Sequence, residues 1–346
     1  MNILKNILTN CSGEFIRRVY CRRINSPLRY AQAFFILFFC FFTEGVLLAQ
    51  QEGQQTLFMY NTLAINPGVA GSRDIPTLTL TARKQWMNFK GAPTQQNLSF
   101  HTPLLSKRLG FGLTFGNRKI GIFEAQTASL ALSYSPIRTE DFALRIGLQG
   151  SARRLGFKFE DDTQASILTN ERSSAAHLLR PRLFGNFGMG VFMTYKSCFM
   201  GFSVPFYYSN IIGLHANTPQ TALEKPHYYF LMGLTLPLWD KLYWKPSTVF
   251  KKTAHAPWGL ELNSSLMFND KITLGASYRV GEANVNNIGE SMDVLMFFQV
   301  NEKWGIGGAY DFTLSELKKY TEGSFEVVAR FDLKQSALRF SNPRVF

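Results

Sequence analysis

LGFGLTFG, the stretch at residues 109–116, alternates large apolar side chains with small ones at every position. Successive side chains of a β-strand point to opposite faces. The leucines and phenylalanines therefore fall on one face of a strand, and the glycines and the threonine fall on the other. A solvated strand usually carries lysine, glutamate and threonine on its second face. An apolar face backed by small residues is instead typical of a membrane barrel, whose outer face meets lipid and whose inner face lines a lumen.

The same period of two recurs along the chain and predicts fourteen strands. They lie near 77–85, 96–102, 109–116, 126–135, 142–150, 184–195, 198–207, 227–237, 241–251, 258–268, 272–279, 291–300, 304–311 and 324–332. In the strand near 198–207, Val204 and Phe206 are predicted to share the outer face with Phe202. We therefore predict an all-β fold, a transmembrane antiparallel β-barrel of about 14 strands of the outer-membrane type.

The predicted connections alternate between long and short, which is a second signal. The long ones fall near 86–95, 118–125, 155–183, 208–226, 252–257, 280–290 and 312–323, and the short ones near 103–108, 136–141, 196–197, 238–240, 269–271 and 301–303. Long loops at one end and tight turns at the other are the outer-membrane arrangement. An even number of strands then predicts that both termini lie on the periplasmic side of the outer membrane.

The composition favours a barrel over a helical membrane protein. The mean hydropathy is −0.06, whereas every helical span needs about 20 apolar residues. Barrel strands average to neutral because they alternate apolar and polar residues. The formal net charge is +13, and the +9 that belongs to residues 50–346 is spread singly between the strands rather than gathered on one module. That distribution argues against nucleic-acid binding.

The amino-terminal segment has the layout of a secretory signal. Residues 31–42 read AQAFFILFFCFF, an apolar run that follows a basic stretch. We predict cleavage after Ala49, so that residues 1–49 form a signal peptide and residues 50–346 form the barrel domain. A transmembrane anchor is the alternative, although the run is short for a helical span. Of the four cysteines only Cys198 would remain, and we interpret it as a buried structural thiol.

A soluble β-sandwich is the main structural alternative, because its strands also alternate. The small residues on the second face and the signal peptide favour the barrel. Aromatic residues near the predicted strand ends fit the interfacial girdles of a barrel. They are Trp86, Tyr134, Tyr195, Tyr207, Trp239, Trp258, Tyr278, Trp304 and Tyr310.

No set of residues has the spacing of a catalytic or metal site. The histidines are His101, His177, His215, His227 and His255, and His101 alone is singled out as a candidate for the luminal face of a strand. The acidic run Glu160, Asp161 and Asp162 lacks the spacing of a calcium loop and predicts a solvated loop. We therefore predict no catalytic, cofactor-binding or metal-binding residue, no cofactor and no enzymatic activity.

Several segments, in order along the chain, resemble one family. FMYNTLAINPGVAGSRD (58–74) has Asn66, Pro67, Ala70 and Gly71 in the places of a family Asn-Pro…Ala-Gly motif. RKQWMNFKGAPTQQNLSFHTPL (83–104) is similar to an Arg-x-Gln-Trp…Gly-Ala-Pro…Ser-Phe block, with Arg83, Gln85, Trp86, Gly91, Ala92, Pro93, Ser99 and Phe100 in those places. KPSTVFK (245–251), LGASYR (274–279), GGAYDFTLSELKKYTEGSFEVVARF (307–331) and the terminal NPRVF follow. These segments resemble the PorP/SprF family of type IX secretion system membrane proteins.

The resemblance implies a role in protein export across the outer membrane of Bacteroidetes-type bacteria. It implies a secreted cargo protein with a C-terminal sorting domain as partner, together with other type IX secretion components and the outer-membrane lipids. In some relatives the cargo is a gliding adhesin. We expect the long loops near 155–183 and 208–226 to recognise the cargo. We expect Asn66, Pro67 and Gly71 to shape the turn into the first strand, and Gly91 and Pro93 to shape the first long loop.

A passive porin or a transporter of small hydrophobic molecules is the alternative function, and a barrel hydrolase is a more distant one. A selective porin should carry rings of charge on its luminal face. The predicted luminal charges are Arg145, Glu261, Arg279 and Asp293, sparse among glycine, serine and threonine. This pattern disfavours a selective channel.

Overall fold

The strands of this chain form one continuous wall. A computed structural model describes residues 55–104, 107–157, 181–208, 210–211, 223–253, 258–281 and 289–333. Its strands are β1 (Thr77–Lys84), β2 (Thr94–Leu104), β3 (Leu109–Ile120), β4 (Phe123–Arg138), β5 (Phe142–Phe157), β6 (Arg182–Tyr195), β7 (Cys198–Val204), β8 (Asn210–Ile211), β9 (Leu223–Glu224), β10 (His227–Leu234), β11 (Leu236–Trp239), β12 (Leu242–Thr253), β13 (Gly259–Phe268), β14 (Ile272–Gly281), β15 (Ser291–Gln299), β16 (Trp304–Thr313) and β17 (Ser324–Asp332). Four short 3-10 helices accompany them: η1 (Phe58–Tyr60), η2 (Thr62–Ala64), η3 (Pro67–Val69) and η4 (Glu316–Lys319).

The wall closes into a barrel. β1 pairs antiparallel with both β2 and β17, and β10 pairs with both β7 and β12. β10 and β11 both pair with β12 and form one wall strand that is interrupted at Thr235, while β8 and β9 form a separate two-stranded sheet. The result is a closed antiparallel barrel of 14 strands, as predicted. Closure leaves no unpaired sheet edge in the lipid.

The alternation of burial along the strands confirms the predicted outer and inner faces. On β15 the exposed residues are Met292, Val294, Met296 and Phe298, and every second residue between them is buried. The predicted outer face of β5 is also exposed, with Leu148 at 62%. Within the described ranges no helix is both long enough and apolar enough to span a membrane.

The end of β7 differs from the prediction. β7 stops at Val204, which is buried, and Phe206 lines the lumen beside Pro205. Val204 and Phe206 were both predicted on the outer face. Proline has no N–H for the sheet ladder and ends pairing there. The Pro205 carbonyl instead accepts a hydrogen bond from Gln149 Nε2 of β5, at 3.3 Å. Cys198, at the start of β7, is half-buried rather than buried.

One predicted long connection, near 118–125, is wrong. β3 continues to Ile120 and β4 begins at Phe123, so that two residues connect them, with Gly121 at φ 56°. The polar residues that suggested a loop belong to extended strands. β4 and β5 have 16 residues each, whereas a tilted strand needs about 9–11 to cross the bilayer. This part of the wall therefore extends past the membrane, where polar residues are solvated. We call this end of the barrel the long-loop end and the other the short-turn end.

Candidate functional site

The lumen holds a segment of the chain itself, residues 55–76, which we call the plug. It precedes β1 and forms the turns η1, η2 and η3; most of its residues are buried and none is exposed. Asn66 caps η3, since its Oδ1 accepts from the Gly68 N–H at 2.8 Å, and Pro67 occupies the first helical position. Both placements are favoured at a helix start. The Asn-Pro motif was expected to shape a turn into the first strand, but it lies inside the barrel.

Glycines on the luminal wall make room for the plug. A Cβ at Gly110 would overlap the carbonyl group of Ala70, and one at Gly147 would overlap the backbone of Pro67 and Gly68. Gly110 was predicted as a small lumen-facing position, and the plug gives the reason for its size. Within the plug, Gly71 has φ 69°, which favours glycine.

Hydrogen bonds fasten the middle of the plug to the wall. Ser203 Oγ donates to the Ile65 carbonyl at 2.6 Å, and Asn66 Nδ2 donates to the Val191 carbonyl at 3.0 Å. Ser133 Oγ donates to the Ala70 carbonyl at 2.7 Å. The two serine bonds satisfy carbonyl groups of the plug, which lies outside the sheet ladder of the wall. They also set the depth of the plug.

The carboxyl-terminal end of the plug is fastened at the short-turn end. Arg73 pairs with Asp332, the last residue of β17, at 3.0 Å, and Asp74 pairs with Arg138, the last residue of β4, at 2.6 Å. The predicted luminal residue His101 is buried, and its Nδ1 accepts from the Gly71 N–H at 3.3 Å.

The amino-terminal end of the plug is held by six buried charged residues, which we call the clasp. They are Arg83, Glu261, Arg279, Asp293, Asp311 and Glu326. Glu326 accepts from the N–H groups of Thr56 and Leu57, at 2.8 and 3.2 Å. Asp293 Oδ2 accepts from Thr56 Oγ1 at 2.9 Å. Each clasp carboxylate also has an arginine within 3.3 Å, with Arg83 pairing with Asp311 and Glu326, and Arg279 with Glu261, Asp293 and Asp311.

The clasp brings together three of the four charges predicted for the lumen. Glu261, Arg279 and Asp293 lie in it, whereas Arg145 lies nearer the short-turn end and donates to the Lys107 carbonyl at 2.8 Å. Arg83 was named as a residue of the family motif but not as a luminal charge, and Asp311 and Glu326 were not singled out. The alternation of inward-facing and outward-facing residues along β1, β16 and β17 could have identified them, because each occupies a luminal position.

Apolar contacts complete the fit of the plug. Leu57, Phe58 and Met59 pack with luminal residues of β15, β16 and β17, and Val69 packs with residues of β6, β7 and β10. Tyr60 stacks on Phe297 with ring centroids 4.2 Å apart. Burial raises the pKa of Tyr60, which lies in the plug and not in a spanning strand, to about 12.

The plug therefore runs through the lumen from one end of the barrel to the other. The clasp residues lie near the long-loop ends of their strands, and the partners of Arg73 and Asp74 end theirs at the short turns. A cavity of about 140 Å³ remains between the plug and the wall near the long-loop end, lined by Phe58, Arg118, Arg153 and Lys251 among others. Within the described ranges no three His, Cys, Asp or Glu side chains converge as a metal site. The run Glu160–Asp162 and most of the loops near 155–183 and 208–226 lie outside the described residues.

Comparison with known proteins identifies the family. The family of type IX secretion system membrane proteins PorP/SprF matches residues 47–331. The chain belongs to the PorP/SprF family. The plug contains the first segment that resembles this family, residues 58–74. Four clasp residues lie in the later resembling segments: Arg83, Arg279, Asp311 and Glu326. The barrel fold and PorP/SprF membership together make the protein an outer-membrane component of type IX secretion.

No curated protein matches the chain. Among solved structures, the Acinetobacter baumannii outer membrane protein Omp33 has a TM-score of 0.45 at 6% identity, over 77% of this chain and 100% of that one. The Pseudomonas putida toluene transporter TodX also has a TM-score of 0.45, at 12% identity, over 79% of this chain and 94% of that one. A Pseudomonas aeruginosa FadL homologue has a TM-score of 0.43, at 12% identity, over 80% of this chain and 94% of that one.

Proposed function

We propose that this barrel supports the secretion or surface attachment of a cargo protein with a C-terminal sorting domain. It acts with other type IX secretion components, by protein recognition and without catalysis or a cofactor. Family membership over residues 47–331 is the observation that carries the proposal. The plug supports it, since a barrel whose lumen is occupied by its own chain works through its surfaces. A gliding adhesin is one cargo class consistent with this role.

The plug also weakens the alternative of a passive porin. Conduction through this lumen requires the plug to leave or move. Its carboxyl-terminal end is held by the buried ion pair Arg73–Asp332, and its amino-terminal end by hydrogen bonds to the buried carboxylates of Glu326 and Asp293. The cavity of about 140 Å³ is small beside the roughly 300–1,000 Å³ of an ordinary ligand pocket. A transporter of small hydrophobic molecules needs a continuous path past the plug.

We also propose that residues 1–49 are a cleaved signal peptide and that the short turns face the periplasm. The family match begins at residue 47, close to the predicted cleavage site. The described chain ends with β17 at the short-turn end, which supports a periplasmic carboxyl terminus. Gln55, where the described chain begins, lies by contrast towards the long-loop end, beside the clasp.

A pulldown from detergent-solubilised outer membranes tests the export role. The tagged barrel is purified and its companions are identified by mass spectrometry, with an untagged strain as control. Recovery of a large secreted protein with a C-terminal sorting domain, together with other secretion components, is the expected result. A barrel that purifies alone and conducts ions in planar bilayers contradicts the proposal and favours the porin.

A further inference from the structure

The first long loop, residues 85–93, is fastened along its whole length. The Met87 N–H donates to the Gly323 carbonyl at 2.7 Å, and the Glu322 N–H donates back to the Met87 carbonyl at 3.2 Å. On the other side, the Gly121 N–H donates to the Gly91 carbonyl at 2.8 Å. The loop therefore crosses the rim of the barrel from the segment before β17 to the turn between β3 and β4. A loop held in this way loses little conformational entropy when it binds a partner.

The loop holds residues in the left-handed region of backbone conformation. Trp86 has φ 49° and Asn88 has φ 65°, and Gly91 has φ 77°. For a bulky residue such as Trp86 this conformation is unfavourable, and it persists only where the surroundings impose it. The Trp86 N–H donates to Ser324 Oγ at 3.2 Å, which is one such restraint. Strained residues of this kind are concentrated at binding sites.

Large aromatic side chains stand exposed on this fastened loop and its neighbour. Phe89 is 45% exposed and packs edge-on against Trp86, with ring centroids 6.4 Å apart. Tyr320, on the adjoining segment 314–323, is 68% exposed. Rigid exposed aromatics are the residues that most often carry binding energy at protein interfaces.

The surroundings of these aromatics are mainly basic. Lys84, Lys90, Lys318 and Lys319, in or next to these two segments, are exposed. The same stretch of sequence contains two acidic residues, Glu316 and Glu322. We call the surface formed by Trp86, Phe89, Tyr320 and these lysines the rim platform. Its charge is complementary to that of an acidic segment, and such complementarity selects partners and speeds association.

We propose that the rim platform is a docking surface for the exported partner protein, and that it takes a segment in which acidic side chains adjoin apolar ones. This inference rests on the proposed function. It assigns recognition to residues 85–93 and 314–323, in addition to the longer loops predicted from the sequence. The aromatics would supply the apolar contact, and the lysines would pair with the partner's carboxylates.

Two pairs of substitutions and a matched control test the platform. Phe89→Ser with Tyr320→Ser removes the exposed aromatics, and Lys90→Glu with Lys318→Glu reverses charge. Lys241→Glu with Lys303→Glu makes the same charge change on exposed lysines at the short-turn end. Each tagged barrel is solubilised, and the sorting-domain protein recovered per barrel is quantified by mass spectrometry. Heat-modifiable migration in gels checks that every variant is folded.

The platform variants are expected to recover at least tenfold less partner than the parent, and the short-turn variant an equal amount. A photocrosslinking amino acid at position 89 should join the barrel to an acidic, apolar stretch of that protein. Equal recovery by all variants overturns the platform while leaving the export role standing. Crosslinks only to lipopolysaccharide also overturn the platform, since the aromatics would then anchor the barrel in the membrane surface. No recovery by the parent itself removes the export role and the platform together.

Discussion

Replacing Gly147 by alanine is expected to displace the plug and open a path through the barrel. The added Cβ would overlap the backbone of Pro67 and Gly68. The plug would have to move by about 1 Å to restore ordinary carbon contacts. Overpacking of this kind costs about 1–3 kcal/mol. The shift would also weaken two hydrogen bonds between the plug and the wall. They run from Ser203 Oγ to the Ile65 carbonyl and from Asn66 Nδ2 to the Val191 carbonyl, and each is worth about 1 kcal/mol.

The combined cost of about 3–5 kcal/mol favours a displaced plug over the seated one by about 150-fold to 5000-fold relative to the parent protein. The measurement is ion conductance of the purified barrel in planar bilayers, together with its thermal unfolding midpoint in detergent. Gly147→Ala should raise the frequency of open channels and lower the midpoint.

Gly150→Ala is the matched control. Gly150 lies on the same strand but on its exposed outer face, and a Cβ there meets nothing within 4 Å. This variant should conduct and unfold like the parent protein. Should Gly147→Ala behave like Gly150→Ala in both measurements, the close approach of plug and wall does not keep the lumen closed, and the reasoning from the glycine is refuted.

Further predictions concern the clasp, the plug and the orientation of the barrel. Arg83→Met leaves two buried carboxylates short of a partner and should destabilise the protein by about 3–5 kcal/mol in chemical unfolding; no change would mean that the clasp does not hold the fold. Ser203→Ala leaves the Ile65 carbonyl unpaired and should cost about 1–3 kcal/mol in the same assay. Deletion of the plug should give channels in every reconstituted barrel, and silent barrels would show that other segments close the lumen. A membrane-impermeant maleimide should label Lys90→Cys on intact cells and Lys303→Cys only after permeabilisation; the reverse result would invert the topology.

The wall of the barrel was predictable from the sequence because its rule is local. A strand that faces lipid on one side and a lumen on the other must alternate every two residues, and stretches such as 109–116 show that period directly. The errors fall where the local rule ends. Residues 118–125 were predicted as a loop because they are polar, but the strands there continue past the membrane, where polar residues are equally stable.

The contents of the lumen were decided by tertiary structure. The sequence singled out the Asn66–Pro67 motif, some of the luminal charges and His101, but it did not indicate that they meet. Thr56 and Glu326 are 270 residues apart in sequence and hydrogen-bonded in the barrel. No periodicity encodes such a contact, because closing the barrel brings the partners together. The sequence by itself thus determined the number of strands and the face on which most strand side chains lie, since both follow from the alternation. Only the closed structure determined that the lumen is plugged and what holds the plug, because these depend on which strands the closed wall brings around one buried segment.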